Sequence, residues 1–336
     1  MESKKLNSFL DNLFNEYKGK VPGASIGIIF KDKLVFTKSY GYANLKTKAK
    51  ISRKTNFRLA SVSKQFTATC ILQLVDKKLI GLDDKLIKYF PRFKFAKGIT
   101  IYHLLTHTSG FLDYEDLIRK NRKNPISDKE VLNLLSRQKK FKFKPGKSWS
   151  YNNGNYCILK ELIEKISGLK YAEYLYKYIF TPLKMNSTIL SERNKTIIKN
   201  RAFGYTKKKN NFIETDNDIT SFTMGDGSIY SNIEDLLKWV FGRKKLLLKK
   251  SYEISKSPLV PTDEKDEFYG FGLNITKYLN EEIIYHGGYS IGFRSSIYLI
   301  PNKKIGIIFL SNLHKNEGSY FTEKIAEFIL KNEIHP

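Results

Sequence analysis

Cysteine is nearly absent from this chain. Cys70 and Cys157 are the only two among 336 residues. They form no short-spaced pair, which excludes zinc-ribbon and dithiol redox motifs. Each falls in or beside an apolar helical stretch, so both are expected as buried free thiols. The 9 prolines and 21 glycines show no period, which excludes collagen-like and low-complexity chains. No apolar run approaches the roughly 18 residues that a membrane-spanning helix needs. Acidic residues are also scarce, with 33 Asp and Glu against 59 Lys and Arg, a net charge of +26. Such a charge suits an anionic polymer, a membrane surface or an acidic substrate. The lysines are scattered, however, and read first as a solvated surface. The densest patches, Arg137 to Lys147 and Lys244 to Lys250, mix basic residues with Phe or Leu. They leave an anionic cell-envelope polymer open as a partner. No nucleic-acid motif accompanies them, and nucleic acid is not expected.

The remaining composition, 41% hydrophobic and 14% aromatic, is ample for a large core. The polar start Met1-Glu2-Ser3-Lys4-Lys5 is followed by Leu6, Leu10, Leu13 and Phe14 at helical spacing. This reads as an amphipathic first helix rather than the apolar core of a secretion signal. The compartment stays open: cytoplasmic if Met1 is the native start, extracytoplasmic if a signal has been removed.

Two β-rich runs, residues 24–30 and 33–37, flank Lys31-Asp32 and predict a hairpin. A helix is expected from Val62 to Lys78, ended by Gly81. The middle reads as mainly helical, with segments at 102–105, 128–136, 156–166, 171–179 and 233–241. Strands return at 271–275, 283–286, 295–300 and 305–310, and a closing helix is expected over 317–330. Strands at both ends with helices between predict an α+β fold. Its antiparallel sheet is built from the N- and C-terminal segments and flanked by helices, with an inserted mainly helical lobe. The expected organisation is one domain over 1–336, with a sheet lobe of 1–80 plus 225–336 and a helical lobe of 81–224.

Ser61-Val62-Ser63-Lys64 opens the long apolar helix. A serine hydroxyl needs an adjacent base or a charge to become nucleophilic at neutral pH, and a lysine one turn along a helix can supply either. The pattern S-x-x-K alone is unspecific. It recurs at Ser136/Lys139 and Ser167/Lys170, and a serine at a helix start is more often an ordinary cap. Two later segments bear on it. Tyr151-Asn152-Asn153 follows the turn Pro145-Gly146-Lys147-Ser148-Trp149. A tyrosine there can relay protons if cations lower its pKa, and an amide can hold a substrate carbonyl, although a surface Tyr-Asn turn is the plainer reading. His286-Gly287-Gly288-Tyr289 ends a strand. Its two glycines let a ligand approach the backbone closely, although a tight turn with an incidental histidine reads as well.

In this order the three segments resemble the serine β-lactamase and penicillin-binding-protein superfamily. Y-x-N and H-G-G stand where the class A branch has S-D-N and K-T-G, which is similar to the class C-related branch. Further matches run nearly the length of the chain: His103-Leu-Leu-Thr-His107-Thr-Ser-Gly110, Phe143-Lys-Pro-Gly146, residues 151–156, Ile179-Phe-Thr-Pro-Leu-Lys-Met185, 227–236 and 287–293. The branch includes class C β-lactamases, D-alanyl-D-alanine carboxypeptidases, D-aminopeptidases and esterases. The resemblance implies a serine hydrolase acting on an amide or ester. Ser61 would be acylated and Lys64 would be its base or electrostatic activator. Tyr151 would shuttle the proton, and Asn153 would bind the acyl side. His286, Gly287, Gly288 and Tyr289 would form the substrate-binding strand edge, with backbone N–H groups of Ser61 and Tyr289 as the oxyanion hole. His103 and His107 would be structural. No metal or organic cofactor is implied. His286 in place of lysine would carry charge only in part near neutral pH, which favours peptidase- or esterase-like activity over efficient β-lactamase activity. Asp226, where relatives often have a small residue, would select a cationic group or lie in a solvent-facing turn. Two other readings remain: a penicillin-binding or cell-wall sensor module that acylates without efficient turnover, and a basic polyanion-binding protein.

Overall fold

The computed structural model describes residues 2–119, 121–193, 195–314 and 319–332. An eight-stranded antiparallel sheet organises it. Its strands are β1 (Ala24–Phe30), β2 (Lys33–Tyr40), β3 (Val260–Pro261), β4 (Phe268–Tyr269), β5 (Asn274–Tyr278), β6 (Glu281–Ser290), β7 (Phe293–Ile300) and β8 (Ile305–Ser311). The spatial order is β3-β4-β5-β6-β7-β8-β1-β2. The two ends of the chain meet where β1 pairs with β8, with Ala24 opposite Ser311 and Ile28 opposite Ile307.

These central strands are apolar on both faces because both faces are covered. Ile26, Ile28, Ile307 and Phe309 pack beneath two terminal helices, α1 (Glu2–Leu13) and the last helix, through Leu6, Leu10, Phe321 and Ile325. Ile29, Ile297, Ile308 and Leu310 face the other way, into the larger core that holds Phe66 and Trp239. Each fully buried side chain of this size stabilises by about 1.5–3 kcal/mol.

The further helices are α2 (Lys64–Asp76), α3 (Leu86–Tyr89), α4 (Ile101–Leu105), α5 (Tyr114–Leu117), α6 (Asp128–Ser136), α7 (Asn153–Ser167), α8 (Tyr171–Leu175), α9 (Ile233–Gly242), α10 (Lys249–Ser255) and α11 (Tyr320–Lys331). Helix α2 is buried on every side from Lys64 to Leu74, as a central helix must be. It ends earlier than Gly81. Lys78 takes the left-handed conformation at φ 58°, and Leu79 N–H donates to the Leu74 carbonyl.

The antiparallel sheet and the helices between its two halves agree with the sequence reading. Three details differ. Residues 205–208 and 211–214 pair as a hairpin inside the segment read as mainly helical. The strand expected over 271–275 is broken, because Gly270 N–H bonds the Leu273 carbonyl in a turn between β4 and β5. Helix α7 begins at Asn153 rather than Tyr156. The start of the closing helix, at Glu317, lies outside the described residues. Cys70 and Cys157 are buried free thiols, as expected. Among the described residues no helix is long and apolar enough to cross a membrane.

Candidate active site

The backbone before α2 is tightly constrained. Phe57–Arg58 pairs with Ile229–Ser231, and a 3₁₀ turn over Ala60–Ser63 leads into the helix. Ala60 sits at φ 47°, a left-handed conformation that costs a non-glycine residue about 1–2 kcal/mol. Strand β6 clamps this turn. A Cβ on Gly288 would lie 2.1 Å from the Leu59 carbonyl oxygen, and the Ser295 hydroxyl donates to the same oxygen at 2.6 Å. Gly287 differs from its neighbour. Nothing lies within 4 Å of a Cβ built there, so it faces open space. Only one of the two glycines therefore clears room for a ligand; the other clears room for the chain itself.

Ser61 does not cap its helix through its side chain. It is half-exposed while residues 62–74 are buried, and it lines a cleft of about 580 Å³ with Tyr151, Asn153, His286, Gly287 and Tyr289. Behind it, the Lys64 Nζ donates to Ser61 Oγ at 3.0 Å, Asn153 Oδ1 at 2.7 Å and the Asp226 carbonyl at 3.2 Å. Three acceptors match the three protons of an ammonium. Burial disfavours that charge, but Tyr151 and Asp226 outweigh it and hold Lys64 above the ordinary lysine range. The Nζ lies 4.9 Å from the centre of the Tyr151 ring.

Tyr151-Asn152-Asn153 is a helix start rather than a free surface turn. Asn152 caps α7, accepting from Asn155 N–H at 3.0 Å, and its own N–H donates to His107 Nδ1 at 3.2 Å. Asn153 N–H donates to Asp113 Oδ2 at 2.6 Å, and its Nδ2 donates to Glu115 Oε1 at 2.9 Å. Asp113 also caps α5. The Asn153 amide is thus oriented by two acidic residues that the sequence reading did not single out. Their one signal was an Asp-Tyr-Glu-Asp run resembling a helix start, shortly after Gly110.

His286 corrects an expectation. It is 3% exposed, and burial together with the Lys64 charge pulls its pKa down to about 3. It carries no charge near neutral pH. Nδ1–H donates to the Gly287 carbonyl at 2.6 Å, and Nε2 accepts from the Tyr269 hydroxyl at 3.0 Å. Tyr269 is a further residue that the sequence reading did not single out. It packs with His107 and Trp149 around Tyr151, and the His107 and Tyr151 ring centres are 4.4 Å apart. His107 is fully buried, and burial first, then Lys64, holds it neutral. His103 completes the capping box of α4.

Of the two expectations for Asp226, the solvent-facing turn is excluded: the residue is 7% exposed, lines the cleft, and burial raises its carboxyl to about 7 against the lowering effect of Lys64. With Asp128 and Cys157 it forms a buried set whose ligand-type atoms lie within 4.8 Å of one another. Asp128 is already engaged, accepting from the N–H groups of Met224 and Gly225. The set therefore reads as internal wiring behind Lys64 rather than as a metal centre.

This geometry can place a hydroxyl beside a fixed cation and an aromatic hydroxyl, open to a cleft edged by a strand. Comparison with known proteins agrees. A family model described as Beta-lactamase matches residues 10–330. Penicillin-binding protein 4* of Bacillus subtilis (strain 168) is 30% identical over 94% of this chain and 73% of its own length. Protein flp of Staphylococcus aureus (strain MW2) is 28% identical over 93% of this chain, which spans 63% of that relative's length. The octameric penicillin-binding protein homologue from Pyrococcus abyssi superposes with a TM-score of 0.86 at 29% identity, covering 99% of this chain and 78% of that one. D-amino acid amidase from Ochrobactrum anthropi SV3 shares the fold, with a TM-score of 0.83 at 20% identity over 98% of both chains. The chain belongs to the Beta-lactamase family, within the serine β-lactamase and penicillin-binding-protein superfamily, and is a serine hydrolase-like enzyme.

Proposed function

We propose that the chain hydrolyses a small amide or ester by acyl transfer through Ser61. The observation that carries this is the Lys64 Nζ held between Ser61 Oγ and Asn153 Oδ1, at 3.0 and 2.7 Å. In the resting state three acceptors around Nζ favour Lys64 as an ammonium that stabilises the developing Ser61 alkoxide. The Ser61 Oγ forms a bond to the substrate carbonyl carbon while its proton passes toward Tyr151. Tyr151 protonates the leaving group as the amide or ester bond breaks, and later relays a proton from the attacking water to Ser61 Oγ as the acyl-enzyme ester bond breaks and the acid is released. Backbone N–H groups of Ser61 and Tyr289 are the proposed oxyanion donors, and Asn153 the proposed contact to the acyl side. A neutral His286 supplies no cation for a substrate carboxylate, which supports peptidase- or esterase-like turnover over β-lactam hydrolysis.

The test is a panel of nitrocefin, short p-nitrophenyl esters and D-amino-acid amides or D-Ala-D-Ala peptides, run on wild type and Ser61→Ala. At least one ester or amide is expected to turn over faster than nitrocefin. Ser61→Ala is expected to lose turnover and covalent labelling by a fluorescent penicillin or fluorophosphonate. Retention of both by Ser61→Ala sinks the proposal. A burst of acylation without steady-state turnover favours the sensor reading instead.

A further inference from the structure

A second cavity, of about 330 Å³, lies between α9, α10 and the inner face of the sheet. It shares no lining residue with the catalytic cleft. Part of its wall is aliphatic, formed by Val240, Leu273, Ile284, Ile297 and Leu299, part is aromatic, and four cations line it against one carboxylate, Asp32. Its volume is at the lower end of the range for small-ligand sites, about 300–1,000 Å³.

Two polar groups on its wall lack what burial demands. Arg243 is 6% exposed. Its guanidinium donates to Thr69 Oγ1 at 3.0 Å and Ser255 Oγ at 2.9 Å, and it lies near the Trp239 and Tyr252 rings. Among the described residues no carboxylate forms an ion pair with it. Burial lowers its pKa only to about 10, so it stays a cation at neutral pH. Buried charges are ordinarily paired, because an unpaired one forfeits its hydration. Gln65 is 3% exposed. Its Oε1 accepts from Trp239 Nε1 at 3.0 Å, while its buried Nε2 has no partner among the described residues. Both groups donate, and both line one apolar cavity.

We propose that this cavity binds a medium-chain alkanoate. Its carboxylate would meet Arg243 and the Gln65 amide, and its tail would lie along the aliphatic part of the wall, with Lys244 and Lys304 favouring the anion, while Lys256 is already paired with Glu253 at 2.7 Å. A carboxylate supplies both missing partners at once, with a charge for the guanidinium and an acceptor for the amide. Gln65 and Thr69 belong to α2, the helix that begins with Lys64. An occupant therefore touches the helix behind the cleft without entering the cleft.

Trp239 lines the cavity and is one of two tryptophans, so a Trp149→Phe protein reports on it alone. Saturable quenching by 2-bromooctanoate is expected, reversed by octanoate, with octanol and octylamine at least tenfold weaker. Arg243→Gln is expected to weaken octanoate at least tenfold. If circular dichroism shows that Arg243→Gln does not fold, Val240→Phe, which fills the cavity, is expected to do the same. Unsaturable quenching, equal binding of octanol, or unchanged octanoate affinity in a folded variant overturns the proposal.

Discussion

Single atoms decide much at the site. The neighbouring glycines of β6 carry opposite demands, one against the Leu59 carbonyl and one toward open space. Gly288→Ala is expected to displace the turn before Ser61, destabilising by about 1–3 kcal/mol as overpacking does and lowering turnover with it. Gly287→Ala is expected to leave stability within about 0.5 kcal/mol. Urea unfolding of the two proteins checks the contrast. The titrations of His286 and Asp226 have opposite signs. His286 has a folded pKa of about 3, below its ordinary 6.5. The stability tied to its neutral form is complete above pH 6.5 and is lost as pH falls toward 3. Asp226 has a folded pKa of about 7, above its ordinary 3.8. Its stabilising share is complete below pH 3.8 and is lost as pH rises through 7. Melting temperatures across pH 3–8 are therefore expected to separate the variants. His286→Gln should lose less than wild type between pH 6.5 and 3, and Asp226→Asn should gain on wild type between pH 4 and 8.

Among the elements, α2 bears the greatest demand, because it is buried all round and places Lys64 at its start. Phe66 stacks on Trp239 of α9 with ring centres 3.8 Å apart, so Phe66→Ala is expected to cost about 3–5 kcal/mol. Its C-terminal turn carries a strained residue. Lys78→Gly is expected to stabilise by about 0.5–1 kcal/mol, since glycine adopts φ 58° without the Cβ clash. Denaturant midpoints for both variants check these values. Periodicity located α6 and α9 to within a residue because each has a polar cap followed by an apolar stripe. It missed the start of α7, because Asn152-Asn153-Gly154-Asn155 has no apolar repeat and is held by side-chain caps instead. The αL end of α2 was equally silent, since a lysine gives no turn signal.

For the whole molecule, the pairing of β1 with β8 sets the architecture. It makes the stability of the outer core depend on α1 and α11 together. Phe14 is fully buried there and stacks on Phe321 at 4.8 Å. Phe14→Ala is expected to cost about 3–5 kcal/mol while leaving the catalytic cleft intact. A lowered melting temperature with kcat unchanged at 25 °C is the expected result. The sequence by itself determined the alternation of strands and helices, the buried thiols, and the three segments that meet at Ser61. Those features rest on local spacing and residue chemistry. Only the tertiary structure decided the charge states and partners. His286 is neutral because it is buried near Lys64, and Asp226 titrates high because packing removes its water. Asp113, Glu115 and Tyr269 join the site because distant segments fold onto it. Burial and long-range contact are properties of the folded chain, and no local pattern encodes them.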